Sequence, residues 1–185
     1  QTSFLSKFTA DELTVRHILE NQPSFSAEVT AAGLEKLKAD SQVAFIEPVE
    51  MMYPALAQSL PLANAMATRA ENDGSGISIA IVDTGIDYRH PMLGNGGFPN
   101  DKVIGGYDTG MNDPDPLPLS EPHGTSCSGN AAGDITVEGD YIGGVAPGAK
   151  LYALKANPDG IGGFWEDALV AAWDWCVTHQ KDDPD

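Results

Sequence analysis

Basic residues are scarce in this sequence. Ten lysines and arginines stand against 27 aspartates and glutamates, for a formal net charge of −17. A surface of that sign repels phosphate backbones and anionic headgroups, which argues against nucleic acid or membrane as a partner. Its plain consequence is a solvated acidic surface. No apolar run is long enough to span a bilayer. Cysteine is nearly absent: Cys127 and Cys176 are too few for a disulfide framework and lack metal-site spacing. Paired or free, they leave the compartment undecided. The opening QTSFLSKF has no methionine, no basic stretch and no apolar core, so no signal peptide is visible. No internal repeat is found either.

What is there reads as two units. At 185 residues the chain holds one ordinary domain, or a small one joined to part of a larger one. The first part is α+β. TVRHILE and SFSAEVT alternate as strands around the turn NQPS, and Thr30 caps the helix AAGLEKLKAD. VAFIEPVEM supplies a third strand, closed off by Pro48. Strand–strand–helix–strand is most of a ferredoxin-like split βαβ sandwich. Its leading strand is not found; only a short helix around Leu5 and Phe8 precedes Thr14. Residues 53–76 form a connector, helical over 63–70 and then Gly-rich.

From Ile77 the pattern changes. ISIAIVD is a near-continuous apolar run, as expected of a strand buried on both faces of a parallel sheet, and KLYALKA is a second such strand. FWEDALVAAWDWCVTHQ predicts a helix with Trp165, Leu169, Ala172, Trp173 and Cys176 on one face. Alternation of strands and helices from Ile77 on predicts a doubly wound α/β sheet. So few strands cannot bury both faces of an open sheet, so the sheet is expected to be partial.

Several residues have the chemistry for a site. Asp83 closes ISIAIVD, at the carboxyl end where open α/β sheets gather functional groups. Taken alone, an Asp-Thr-Gly carboxylate is equally explained as a cap on its own turn. Asp87 reads as a turn acid and His90 as a hydrogen-bonded loop histidine. Asp113 and Asp115 lie in the acidic, Pro-rich loop 108–122 but match no calcium-loop spacing. HGTSCSGNAAG sets His123 beside Ser126, Cys127 and Ser128 at the start of a helix of small residues. His123 suits a general base, with a helix cap as the alternative. Cys127 lies one turn on, over the same face, and defines a rival Cys–His dyad. The three neighbours are otherwise expected to serve helix packing.

IAIVDTGIDYRHPML resembles the aspartate motif of the subtilisin-like serine peptidases, and HGTSCSGNAAG resembles their histidine motif. GGVAPGAKLYALKA is similar to the stretch that follows the histidine helix in that family. SFSAEVTAAGLEKLKADSQVAFIEP is similar to the inhibitory propeptide that precedes many of these enzymes. The segments come in the family's order and cover nearly the whole chain.

The resemblance implies a partial subtilisin-like α/β domain preceded by a ferredoxin-like propeptide, with 1–57 as propeptide and 58–185 as the first part of the catalytic domain. It implies a serine endopeptidase using an Asp–His–Ser triad, in which Asp83 orients His123 and His123 takes the proton of an attacking serine. It also implies that Gly160, Ile161, Gly162 and Gly163 form the edge to which an extended peptide substrate adds as a strand; a flexible loop is the rival reading. The implied partners are a protein or peptide substrate and the chain's own propeptide. The implied setting is extracellular, with the enzyme made as a zymogen and cleaved within MMYPALAQS. The implied chemistry needs no cofactor.

Two departures qualify these expectations. The family's nucleophile motif is not found, since Gly-Thr-Ser occurs only at Gly124–Ser126. The nucleophile and the oxyanion-hole asparagine are therefore expected beyond Asp185, and these residues alone are expected to be inactive. The calcium-binding aspartate that often follows His-Pro in the first motif is Met92 here, so structural calcium stays open but without a recognisable site. A different class of function stays open: a non-catalytic module whose propeptide-like unit inhibits a peptidase.

Overall fold

The computed structural model describes residues 2–52, 69, 71–136, 141 and 143–181. The boundary at 57/58, the cleavage stretch past Met52 and, apart from Arg69, the helix expected over 63–70 lie outside the described residues.

The chain opens with a one-turn helix, α1 (Thr2–Leu5), followed by the antiparallel strands β1 (Leu13–Ile18) and β2 (Phe25–Val29). Phe4 joins α1 to this hairpin through Phe25, with ring centroids 6.0 Å apart. Helix α2 (Ala31–Ala39) starts where the sequence predicts. Thr30 is extended, and its Oγ1 accepts the Gly33 N–H at 3.2 Å, satisfying one of the free donors of the first turn. Gly33 and Leu37 turn its buried face inward.

The third strand expected over 43–51 does not form. Residues 43–50 join no ladder, and only β3 (Met51–Met52) pairs, on a different partner. Pro48 lacks a backbone donor, and Phe45 is 75% exposed, so the segment has neither a hydrogen-bonded edge nor a buried face to hold it in the hairpin. Among the described residues this sheet therefore has two strands.

The second unit is built on a parallel sheet of β4 (Ser78–Asp83), β5 (Val103–Asp108) and β6 (Lys150–Lys155), in the order β4–β6–β5. Central β6 carries the core: Leu151 and Ala153 are fully buried and packed with Val103, Ile86, Leu93 and Ala132, and Leu154 is fully buried as well. The expectation that β4 is buried on both faces fails. Ala80 is exposed and most of the strand half-buried, because β4 is an edge of the described sheet. β5 is not anticipated from sequence, since Gly105 and Gly106 depress strand propensity. In the fold Gly106 passes so close to β6 that a side chain there would collide with the Ala153 carbonyl, at a backbone φ of 145°.

Helix α3 (His123–Ala132) packs on β4 and β6. Past β6 come the two-residue strand β7 (Phe164–Trp165) and α4 (Glu166–His179). The predicted helix over 164–180 is thus two residues shorter at its start, where Phe164 and Trp165 pair antiparallel with Met52 and Met51. Ala168 and Ala172 are its fully buried residues, whereas Trp173, expected on the inner face, is 57% exposed. The strand registers Asp83↔Lys155 and Asp108↔Lys155 bring three charged residues to one level at the carboxyl end of the sheet. That level is where the site forms.

Candidate active site

Asp83 is the last residue of β4, and His123 is the first residue of α3. Residues 40 positions apart meet because α3 crosses close to the end of β4. The crossing depends on Gly124: a side chain there would collide with the Gly85 carbonyl and lie 3.0 Å from the Asp83 Cβ. Thr84 ties the two segments together. Its hydroxyl accepts the Gly124 N–H at 2.9 Å and donates to the Glu121 carbonyl at 3.0 Å. The Thr125 hydroxyl accepts the Asp87 N–H at 2.9 Å, a second tie between the same segments. Neither threonine is singled out by composition or periodicity. The Asp-Thr-Gly and His-Gly-Thr strings were the available signal.

His123 Nδ1 lies 2.8 Å from Asp83 Oδ1 and 2.9 Å from Oδ2. An ionised carboxylate only accepts, so this contact requires the ring proton on Nδ1 and leaves the Nε2 lone pair free. Asp83 Oδ1 also accepts the Thr84 N–H at 2.7 Å, which fixes the carboxylate as well as the ring. The Asp83 side chain is 11% exposed and that of His123 27%, so the acid is enclosed while the ring keeps an open side.

The neighbours in HGTSCSGNAAG separate. Ser128 is fully buried, and its hydroxyl donates to the Gly124 carbonyl at 2.7 Å, a packing role as expected. Ser126 does not fit that expectation: it is exposed, because its position in the first turn of α3 faces away from the sheet. Cys127 Sγ sits 3.8 Å from His123 Nδ1 and 3.9 Å from Nε2. Burial, and then the adjacent Asp83 charge, push its thiol pKa up. A thiol held protonated is a poor nucleophile, which weakens the Cys–His reading. Cys127 and Cys176 are both free.

The ligand atoms of Asp83, His123 and Cys127 lie within 4.8 Å of one another, the one such group among the described residues. A protonated thiol beside a committed Asp–His contact is a poor donor set for a cation. The positions weighed for calcium are engaged in their own turns. Met92 lies in a 3₁₀ turn that begins with the His90 Nδ1 accepting the Met92 N–H at 3.2 Å. Asp113 Oδ1 accepts the Asp115 N–H, and Asp115 Oδ1 accepts the Leu117 N–H and the Tyr88 hydroxyl. Asp87 accepts the Arg89 N–H, the turn role expected of it.

Gly160, Ile161, Gly162 and Gly163 lie in the loop between β6 and β7. The first three are exposed and Gly163 is buried. The loop leaves the sheet beside the acid, since the Ala156 N–H donates to the Asp83 carbonyl at 2.8 Å. At its far end β7 receives β3 from the first unit, and the Glu166 N–H donates to the Glu50 carbonyl at 3.0 Å. The hairpin of that unit rests on α4. Asp174 accepts the Glu20 and Asn21 N–H groups at 2.8 and 3.0 Å, and the Asn21 amide reaches the Thr178 hydroxyl at 2.9 Å. Arg16 pairs with Asp167 at 3.2 Å.

A model of the subtilase family matches residues 74–182. The thermophilic serine proteinase of Bacillus sp. (strain AK1) is 41% identical over 103 residues, covering 54% of this chain and 24% of that protein. Thermitase of Thermoactinomyces vulgaris is 40% identical over 93 residues, covering 50% of this chain and 30% of that protein. Subtilisin E of Bacillus subtilis (strain 168) is 29% identical over 164 residues, covering 85% of this chain and 39% of that protein. The chain thus spans between about a quarter and two-fifths of the length of these relatives.

Proposed function

Because the chain belongs to the subtilase family, we propose that Asp83 and His123 are the acid and base of a serine endopeptidase. The observation that carries this reading is the double contact of His123 Nδ1 with the Asp83 carboxylate at 2.8 and 2.9 Å. Asp83 holds the tautomer with a free Nε2 and stabilises the imidazolium that forms. His123 Nε2 takes the proton of a serine as its oxygen attacks a peptide carbonyl, then returns it to the leaving amine. That serine is none of those beside His123; Ser128 is buried and spent on a backbone carbonyl. It belongs to sequence outside these residues. The chemistry uses side chains alone and no cofactor.

The substrate is an extended stretch of protein that adds to Gly160, Ile161, Gly162 and Gly163 as a strand. Residues 1–57 act as the enzyme's own propeptide. Support comes from β3, which occupies β7 immediately after Gly163, and from the hairpin seated on α4. The active enzyme works outside the cell. Among the described residues no helix is long and apolar enough to cross a membrane.

Two measurements test the core of the proposal. In this chain, the His123 Nδ1 proton is expected as a strongly downfield NMR resonance that disappears in Asp83→Asn. In the polypeptide extended through its serine, Asp83→Asn is expected to lower kcat on casein by about four orders of magnitude. An extended protein that hydrolyses casein equally well with His123→Ala sinks the reading.

A further inference from the structure

A buried lysine stands beside the proposed site and takes no part in the chemistry above. Lys155 ends β6, level with Asp83 on one side and Asp108 on the other. Its side chain is 3% exposed. The ammonium contacts Asp108 Oδ2 at 2.6 Å and Asp159 Oδ1 at 2.6 Å. The two carboxylates differ in setting. Asp108 is fully enclosed at the end of β5 and also accepts the Met111 N–H at 2.9 Å, so it belongs to the sheet. Asp159 is 40% exposed and immediately precedes Gly160. Further contacts anchor Lys155 itself. Its carbonyl accepts the Thr109 N–H at 2.7 Å, and the Thr109 hydroxyl donates to the Ala168 carbonyl of α4 at 2.8 Å.

The ends of the 156–163 loop are buried, with the Ala156 N–H on the Asp83 carbonyl, but its exposed middle, 159–162, has little else to hold its shape. Its internal hydrogen bonds are long: Asn157 Nδ2 to the Ile161 carbonyl at 3.4 Å, and the Ile161 N–H to the Pro158 carbonyl at 3.3 Å. Gly160 adopts φ 72°, and Gly160 and Gly162 have nothing within 4 Å of where a side chain would stand. A short charge-assisted contact outweighs two hydrogen bonds at the limit of the distance range.

We infer that Lys155 is a positioning residue for the peptide-binding edge: held by Asp108 in the sheet, it fixes Asp159 and with it the segment Gly160–Gly163. The inference rests on the reading of that segment as the substrate edge. It acts through the loop rather than on the reacting atoms. Lys155 is too deeply buried for a clean substitution, so the test uses exposed Asp159 in the full chain. Asp159→Asn keeps the shape and removes the charge; Asp159→Glu keeps the charge.

NMR then reads two quantities: amide exchange of residues 160–163, and the shifts of the same amides on titration with acetyl-tetra-alanine amide. The expected result for Asp159→Asn is faster exchange confined to 160–163 and peptide binding weakened about threefold to fivefold. Asp159→Glu is expected to restore both in part, with the melting midpoint unmoved in either variant. Exchange unchanged in Asp159→Asn overturns the role of Lys155 and leaves the edge reading standing. Faster exchange without peptide-induced shifts at 160–163 in the unsubstituted chain overturns the edge reading, and the positioning role with it.

Discussion

Asp83 and His123 keep their geometry through neighbours that do no chemistry. Thr84 holds the carboxylate by its N–H and the start of α3 by its hydroxyl, and Gly124 lets α3 come close enough for either contact. Gly124→Ala forces a methyl group into the Gly85 carbonyl, and overpacking of this kind costs about 1–3 kcal/mol. Chemical denaturation is expected to record that loss, together with disappearance of the His123 Nδ1 proton resonance as α3 shifts away. Cys127 offers a second check at this scale. With its thiol pKa pushed up by burial and by Asp83, alkylation at neutral pH is expected to be slower than for an unstructured thiol. Asp83→Asn should speed it. Alkylation as fast as a free thiol would restore the Cys–His dyad as a rival.

Elements were legible in proportion to how much they depend on local pattern. The cap at Thr30, the hairpin and the strands ending at Asp83 and Lys155 all follow from turn chemistry and apolar runs. β5 was hidden by its two glycines, whose value lies in close approach to β6 and not in propensity. Residues 43–50 failed the other way. Their alternation reads as a strand, but a strand exists only with a partner, and none of the described strands pairs with them.

The contact between the hairpin and α4 carries a pH dependence. His17 on β1 is enclosed there, facing Asp167 of α4 at 4.0 Å, with Arg16 beside it. Burial pulls its pKa below the ordinary 6.5, against the attraction of Asp167. A released hairpin therefore binds a proton that the seated one does not. Seating is full above pH 6.5 and weakens as pH falls through that value. Asp174 behaves likewise at lower pH. Burial raises its pKa, but the N–H donors of Glu20 and Asn21 outweigh this and leave it below the ordinary 3.8. Its contribution is present above 3.8 and is lost as pH falls through the lowered value. Trp165 and Trp175 adjoin the hairpin, so a fluorescence titration should show two acid-side steps. His17→Gln should abolish the first.

Across the whole molecule the dominant quantity is charge. At −17 the chain repels itself; among the described residues Lys155 and Lys102 are the buried lysines that hold carboxylates. Screening shortens the reach of that repulsion to about 8–10 Å at moderate ionic strength. The melting midpoint is therefore expected to rise with added sodium chloride; a flat or falling midpoint would mean that local ion pairs outweigh the net field.

The amino-acid sequence by itself determined the family, the chemical identity of the proposed acid and base, and the alternation of strand and helix that defines the fold class. These are properties of short strings, in which residue type and local spacing carry the information. Only the tertiary structure decided which neighbour His123 contacts, that Ser126 faces solvent while Ser128 is enclosed, and that Lys155 links the sheet to the 156–163 loop. Each depends on segments tens of residues apart reaching the same level at the carboxyl end of one sheet. Strand register and helix crossing set that level, and neither is written in any single stretch of the chain.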